Sequence, residues 1–207
     1  MSDRMISKGR RSGTRIIACA VFKPALEHIQ LLKRYPNLRV SYLPSNLHLS
    51  PQKLENYLRR EVALARRRNE SVVCLYGDCF PTINDFCKEH EVIKVPGPHC
   101  DEMLLGSQPF RQIIEETAGT YFLEQELILN FEKYCVKPLE LDDAEMRKAY
   151  FEHYRRVLYV HQPSDPDLTP KAIEVARFLE LPLEIREADY SHLDRTLIDL
   201  IQQALSR

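Results

Sequence analysis

The chain has no tryptophan, and only six of its 207 residues are glycine. With so few glycines there is no Gly-x-Gly-x-x-Gly turn and no Walker loop, which removes the usual grounds for expecting an adenine dinucleotide or ATP. No apolar run approaches the ~18 residues a membrane span needs. No two cysteines stand in a Cys-x-x-Cys pair, so zinc-ribbon and ferredoxin spacings are absent. An excess of one charge is lacking too. The 29 Lys and Arg against 30 Asp and Glu leave a formal charge of -1, too little for a general polyanion-binding surface, so nucleic acid is not an expected partner. The amino-terminal segment carries charge with no apolar stretch behind it, unlike a secretory leader. The expected location is the cytoplasm, where thiols stay reduced. The six cysteines are then expected to be buried, metal-binding or catalytic rather than disulfide-bonded.

What is present is an ordinary soluble composition, 44% hydrophobic and 29% charged, long enough to bury a core without staples. Residues 1–14 are polar and basic and read as a flexible arm. After them, strand and helix patterns alternate. Strands are expected over 15–21, 39–43, 71–76, 91–95, 120–123, 157–160 and 183–186. Helices are expected from Pro24, from Pro51 to Arg68, and over 81–90, 101–118, 124–134, 142–154, 169–178 and 191–205. Ser50 takes the N-cap position ahead of Pro51, and Leu54, Leu58, Val62 and Ala65 form one face. Arg66, Arg67 and Arg68 close that helix, where positive charge complements the dipole. The helical segment at 101–118 is expected to break near Gly106 and Pro109. Strands alternating with helices imply an α/β protein, a mostly parallel open sheet with helices on both faces in a Rossmann-like three-layer arrangement. Residues 15–207 form this single domain, and residues 157–207 either continue its sheet or make a sub-lobe.

Three cysteines fall where expected strands end. Cys19 closes the first, Cys79 follows the Gly77-Asp78 turn, and Cys100 follows Pro96-Gly97-Pro98-His99. In a parallel sheet the carboxyl ends of the strands share one crevice, where ligands bind. Thiols converging there suggest a metal or an iron–sulfur cluster. His48, in the turn after the second strand, supplies a fourth group, and His99 stands beside Cys100. Cys74 inside a strand, Cys87 within a helix and Cys135 at a helix end have packing explanations. Cys79, shortly before Pro81, also fits a thiol activated by a helix N-terminus, with His48 or His99 as base. The run Glu140-Leu141-Asp142-Asp143-Ala144-Glu145 reads as helix capping, and Tyr150-Phe151-Glu152-His153-Tyr154 as a packed helix face.

Five motifs occur in order: Ile17-Ala18-Cys19; Leu43-Pro44-Ser45-Asn46-Leu47-His48 followed by Pro51 and Leu54; Tyr76-Gly77-Asp78-Cys79; Cys100-Asp101-Glu102-Met103-Leu104-Leu105-Gly106; and Gly119-Thr120-Tyr121-Phe122-Leu123. Together, over residues 15–160, they resemble an uncharacterised bacterial and archaeal domain family of unknown function. The resemblance implies a single cytosolic α/β domain with a site of Cys19, His48, Cys79 and Cys100. It further implies a setting near corrinoid-dependent methyltransferase systems, in one-carbon or methyl-group metabolism. The chain departs from the family pattern at His99, where an acidic residue often precedes the last cysteine, and in lacking a Trp after Gly119-Thr120-Tyr121.

The expectation is a protein holding zinc or an iron–sulfur cluster on Cys19, Cys79 and Cys100, with His48, or else His99, completing or flanking the site. Its partner is a small-molecule substrate, or a methyltransferase or corrinoid protein. One alternative is a metal-free module that binds a small molecule or corrinoid. Another is a thiol-dependent enzyme using Cys79.

Overall fold

The computed structural model describes residues 11–206, so most of the arm expected over residues 1–14 lies outside the described residues. The end of that segment belongs to the domain. Ser12 donates its backbone N–H to Asn69 O at 2.9 Å, and Gly13 and Thr14 open the first strand.

The strands β1 (Gly13–Cys19) and β3 (Glu70–Leu75) are buried along their whole length. A parallel strand covered on both faces needs no alternation, which is why Ile16-Ile17-Ala18 and Val72-Val73-Cys74-Leu75 are uninterrupted apolar runs. They pair in parallel with β2 (Leu38–Leu43) and β4 (Ile93–Lys94), in the order β2-β1-β3-β4. The fourth strand is shorter than the expected 91–95. Glu91 is in the left-handed region (φ 48), and Pro96, with no N–H, ends the ladder.

The helices α1 (Lys23–His28), α2 (Leu31–Arg34), α3 (Pro51–Arg67) and α4 (Ile83–Glu89) belong to this sheet. The stripe Leu54, Leu58, Val62 and Ala65 is buried as its spacing requires. Ser50 precedes α3, but its side chain makes no capping hydrogen bond.

A second sheet, also all parallel, has the order β5-β6-β7: β5 (Thr120–Leu123), β6 (Arg156–His161) and β7 (Leu183–Glu187). With α7 (Gln125–Phe131), α8 (Ala144–Phe151) and α9 (Thr169–Phe178) it encloses its own core, which includes Leu123, Ile128, Phe131, Phe151, Tyr159 and Ala172. Two helices join the lobes: α5 (Cys100–Leu105) and α6 (Ser107–Glu116), separated at Gly106, whose φ of 91 suits glycine. The last helix, α10 (Ser191–Leu205), crosses back. Its Leu193, Leu197, Ile201 and Ala204 join the first core, and Ser71 Oγ donates to Ala204 O at 2.9 Å. The protein is thus α/β, with two parallel sheets flanked by helices in a Rossmann-like layering. The second sheet begins at residue 120 rather than at the late strands alone, and the chain's end returns to the first lobe.

Each sheet is held at its amino edge by a buried arginine on an inner strand. Arg15 donates from Nε to Glu70 Oε2 and from Nη1 to Ser41 Oγ, both at 2.8 Å. Arg156 donates to Thr120 Oγ1, Ile113 O and Glu184 Oε2 at 2.8 to 2.9 Å. These guanidiniums tie neighbouring strands together at the edge away from the carboxyl ends, which leaves those ends free for chemistry.

Candidate functional site

The four residues singled out from sequence come to one place. Cys19 is the last residue of β1, His48 lies in the short helical turn Ser45–Leu49 after β2, Cys79 is in the loop after β3, and Cys100 opens α5 behind β4. All four line a single cavity of about 450 Å³ between the carboxyl edge of the first sheet and Tyr121, Phe122 and Glu124 of the second lobe. His99 and Cys135 line it as well.

A glycine lets the two thiol-bearing loops meet. Asp78 donates its N–H to Pro98 O at 2.7 Å, and a Cβ on Gly77 would stand 2.4 Å from that same oxygen. Only a residue without a side chain permits this approach, which brings Cys79 to Cys100.

The Cys100 thiol hydrogen-bonds to Cys79 and holds the Cys79 thiol below its usual range, against the effect of burial; His99 and Lys94 add to the lowering. Cys100 is correspondingly pushed well up, by that same bond and by burial. Burial pushes Cys19 up to about 12. The expected helix N-terminus is not what activates Cys79, because α4 begins only at Ile83. Cys100 takes a first helical position instead, and its thiol is the proton-holding member. Cys74 and Cys87 are buried core residues, as expected. Cys135 is buried too, but its sulfur also meets the Tyr121 hydroxyl at 3.3 Å on the cavity wall.

His48 Nδ1 is 2.7 Å from Ser45 O. That carbonyl can only accept, so Nδ1 carries the proton and the Nε2 lone pair is left free, as metal-ligating histidines require. His99 Nδ1 pairs with Asp101 Oδ2 at 2.8 Å, which raises the imidazole above its ordinary value, and its ring stacks on Phe110 at 5.5 Å.

Several cavity groups carried no sequence signal that was read. Asp101 is 6% exposed, and its Oδ1 has no hydrogen-bond partner. Glu124 caps α7, accepting from Glu126 N at 2.6 Å and Leu127 N at 2.9 Å. Burial, and then the charge of Asp101, pushes Glu124 up to about 8. Behind the cavity, outside its lining, the Tyr76 hydroxyl is buried without a partner, and burial pushes it well up. The Glu124 position was readable in principle, since it follows a strand and precedes a helix as an N-cap acid does. Its placement opposite Asp101 needs the second sheet.

The donor set suits a soft or borderline cation: three sulfurs and one imidazole nitrogen. Among the described residues, however, no three His, Cys, Asp or Glu side chains are already gathered into a group that could hold a metal ion. The donors share a cavity without being drawn together.

Fold and cavity together define a two-lobed parallel α/β protein with a thiol-lined cleft at the strand ends. Within that class, the chain belongs to the family described as protein of unknown function (DUF1638), whose model matches residues 42–197. No curated protein and no solved structure matches the chain. Among the described residues no helix is long and apolar enough to cross a membrane.

Proposed function

We propose that this protein binds a metal at the carboxyl edge of its first sheet, through the thiolates of Cys19, Cys79 and Cys100 and through His48 Nε2, and that the rest of the cavity receives a small substrate. One observation carries the reading: three thiols from separate strand ends and an imidazole with a fixed tautomer line the same cavity. The mixed sulfur and nitrogen set favours zinc, and three cysteines with one further donor also suit an iron–sulfur cluster. His48 is the exposed member and so the ligand a substrate would replace. A metal there would supply Lewis-acid activation of a bound thiol or carbonyl. The chain's own groups do the rest. Cys100 keeps Cys79 ready to ionise, and Tyr121, Phe122 and Glu124 of the second lobe wall the cavity on the other side. A thiol that accepts a methyl group, delivered by a corrinoid or methyltransferase partner, is the substrate setting that we favour.

The test is zinc and iron analysis with a visible spectrum of protein purified without oxygen. Bound zinc, or the colour of a cluster, is expected in the wild type and lost in Cys79→Ser and Cys100→Ser. A folded wild type that is colourless, metal-free and takes up no added zinc overturns the reading.

A second reading is favoured by the 2.8 Å bond between His99 and Asp101. Cys79 would serve as a nucleophile, His99 as its base, and Asp101 as the group that orients the base. A single fast-alkylating cysteine, slowed by His99→Ala in metal-free protein, supports it. Equal alkylation rates in the two proteins rule it out.

A further inference from the structure

The second sheet ends in an open edge. Its last strand, β7, pairs with β6 on one side, and among the described residues no strand lies on the other. Pro182 O accepts from Val157 N at 2.9 Å, and Ala188 N donates to His161 O at 2.8 Å. In a parallel pair, alternate residues turn their backbone groups to the same neighbour. Glu184 and Arg186, in step with Pro182 and Ala188, therefore face β6. The N–H and C=O groups of Leu183, Ile185 and Glu187 point the other way, out of the sheet. Natural edges are commonly guarded by a proline, a lysine or a bulge. Between Leu183 and Glu187 there is neither proline nor lysine, and the register against β6 is unbroken. Ile185, at the middle of the edge, is 41% exposed. The charges beside it are of opposite sign. Arg186 is held only loosely, by Glu116 at 3.8 Å and Glu184 at 4.0 Å, and Arg156 occupies just one oxygen of Glu184, Oε2.

We infer that β7 is an interface between two copies of this chain, paired antiparallel about a twofold axis at Ile185. Outward-facing residues must meet outward-facing residues. Ile185 then meets Ile185 of the partner subunit, and Leu183 meets Glu187 of the partner subunit, with backbone hydrogen bonds exchanged in each pair. Between them, Glu184 stands opposite Arg186 of the partner subunit, and the symmetry repeats that pair on the other side of the axis. These are the non-hydrogen-bonded positions, where facing side chains come closest. A slip that keeps the backbone bonds sets Glu184 against its own copy, or Arg186 against its own copy, and like charges directly opposite are destabilising. The order Glu-Ile-Arg is thus self-complementary in one register alone. Exposed ion pairs add little affinity but fix register and partner. The backbone bonds and the paired isoleucines supply the attraction. Two three-stranded sheets become one of six strands, a common size. None of these residues lines the thiol cavity, so the interface is independent of what that cavity holds.

The test is sedimentation equilibrium of the full chain over a series from about 1 to 100 μM. The mass is expected to rise toward twice that of one chain. Arg186→Glu turns both ion pairs into repulsions and should weaken the dimer by at least about tenfold. Glu184→Lys should do the same. When the two variants are mixed, every new charge meets its opposite, so a mixed dimer should form where neither variant pairs with itself. If either charge variant does not fold, Ile185→Cys decides. Its Cα would lie about 5.5 Å from that of its copy, within disulfide reach, and mild oxidation should yield a covalent dimer that the wild type does not give. A wild type that stays monomeric across the series overturns the inference. So does a dimer that a folded Arg186→Glu leaves at full strength, or one that Ile185→Cys fails to cross-link.

Discussion

Gly77→Ala probes the contact on which the thiol pair depends. The added methyl would lie 2.4 Å from Pro98 O and 3.2 Å from His99 Cα. Ordinary contact needs about 3.5 Å, so the loops must part by about 1 Å. The backbone conformation at Gly77 is not the left-handed kind, so the penalty is steric. Overpacking of this sort costs about 1–3 kcal/mol, and stretching the Asp78 to Pro98 hydrogen bond adds about 1 kcal/mol, for a loss of about 2–4 kcal/mol. For a chain of this size that is a drop in melting temperature of roughly 5–15 °C. Parting the loops also draws Cys79 away from Cys100. The pH dependence of Cys79 alkylation should therefore move up, toward that of an ordinary thiol. Gly13→Ala is the control, since a methyl there would sit 2.5 Å from Asn37 O, at the far edge of the sheet. It should destabilise to a similar degree and leave the alkylation profile of Cys79 alone. A Gly77→Ala protein with wild-type melting and an unmoved profile would refute the reasoning, as would a Gly13→Ala protein with the same profile shift.

Cys100→Ala removes the donor that lowers Cys79, so Cys79 alkylation at neutral pH should slow, with mass spectrometry identifying the labelled site. Glu124 is pushed from 4.5 up to about 8 in the folded chain. The unfolded chain therefore sheds this proton first, and stability should fall as pH rises from about 4.5 to 8, then level off. Glu124→Gln should start lower, having lost part of a helix cap, and lack that slope in urea melts taken across the range. Arg15→Met strips Glu70, 4% exposed, of its buried partner and leaves it the more exposed Arg39 at 3.1 Å. A loss of about 3–5 kcal/mol is expected, part of it recovered in Arg15→Met/Glu70→Gln, because the cost is an uncompensated buried charge. Chemical denaturation of the three proteins measures this.

Local patterns carried much of the architecture. The stripe on α3, the break at Gly106 and the Asp143 cap, which accepts from Glu145 N and Met146 N, follow from periodicity and capping chemistry. Those are properties of a few adjacent residues. Ser50 shows the limit of such reading: it occupies the right position, and its side chain does not cap. The activation of Cys79 was expected from a helix N-terminus and comes instead from another thiol twenty-one residues on, together with His99 and Lys94.

By itself the sequence determined an α/β protein of parallel strands, and it determined that Cys19, His48, Cys79 and Cys100 stand after successive strands. Parallel pairing carries such positions to one edge, so their sharing of a cavity follows from order along the chain. Tertiary structure alone decided that there are two sheets, and that α10 returns to the first. It also decided that the cavity's other wall is Asp101 facing Glu124 across the seam. Those contacts join residues with no fixed spacing, and the lone oxygen of Asp101 goes unpaired because packing has removed it from water.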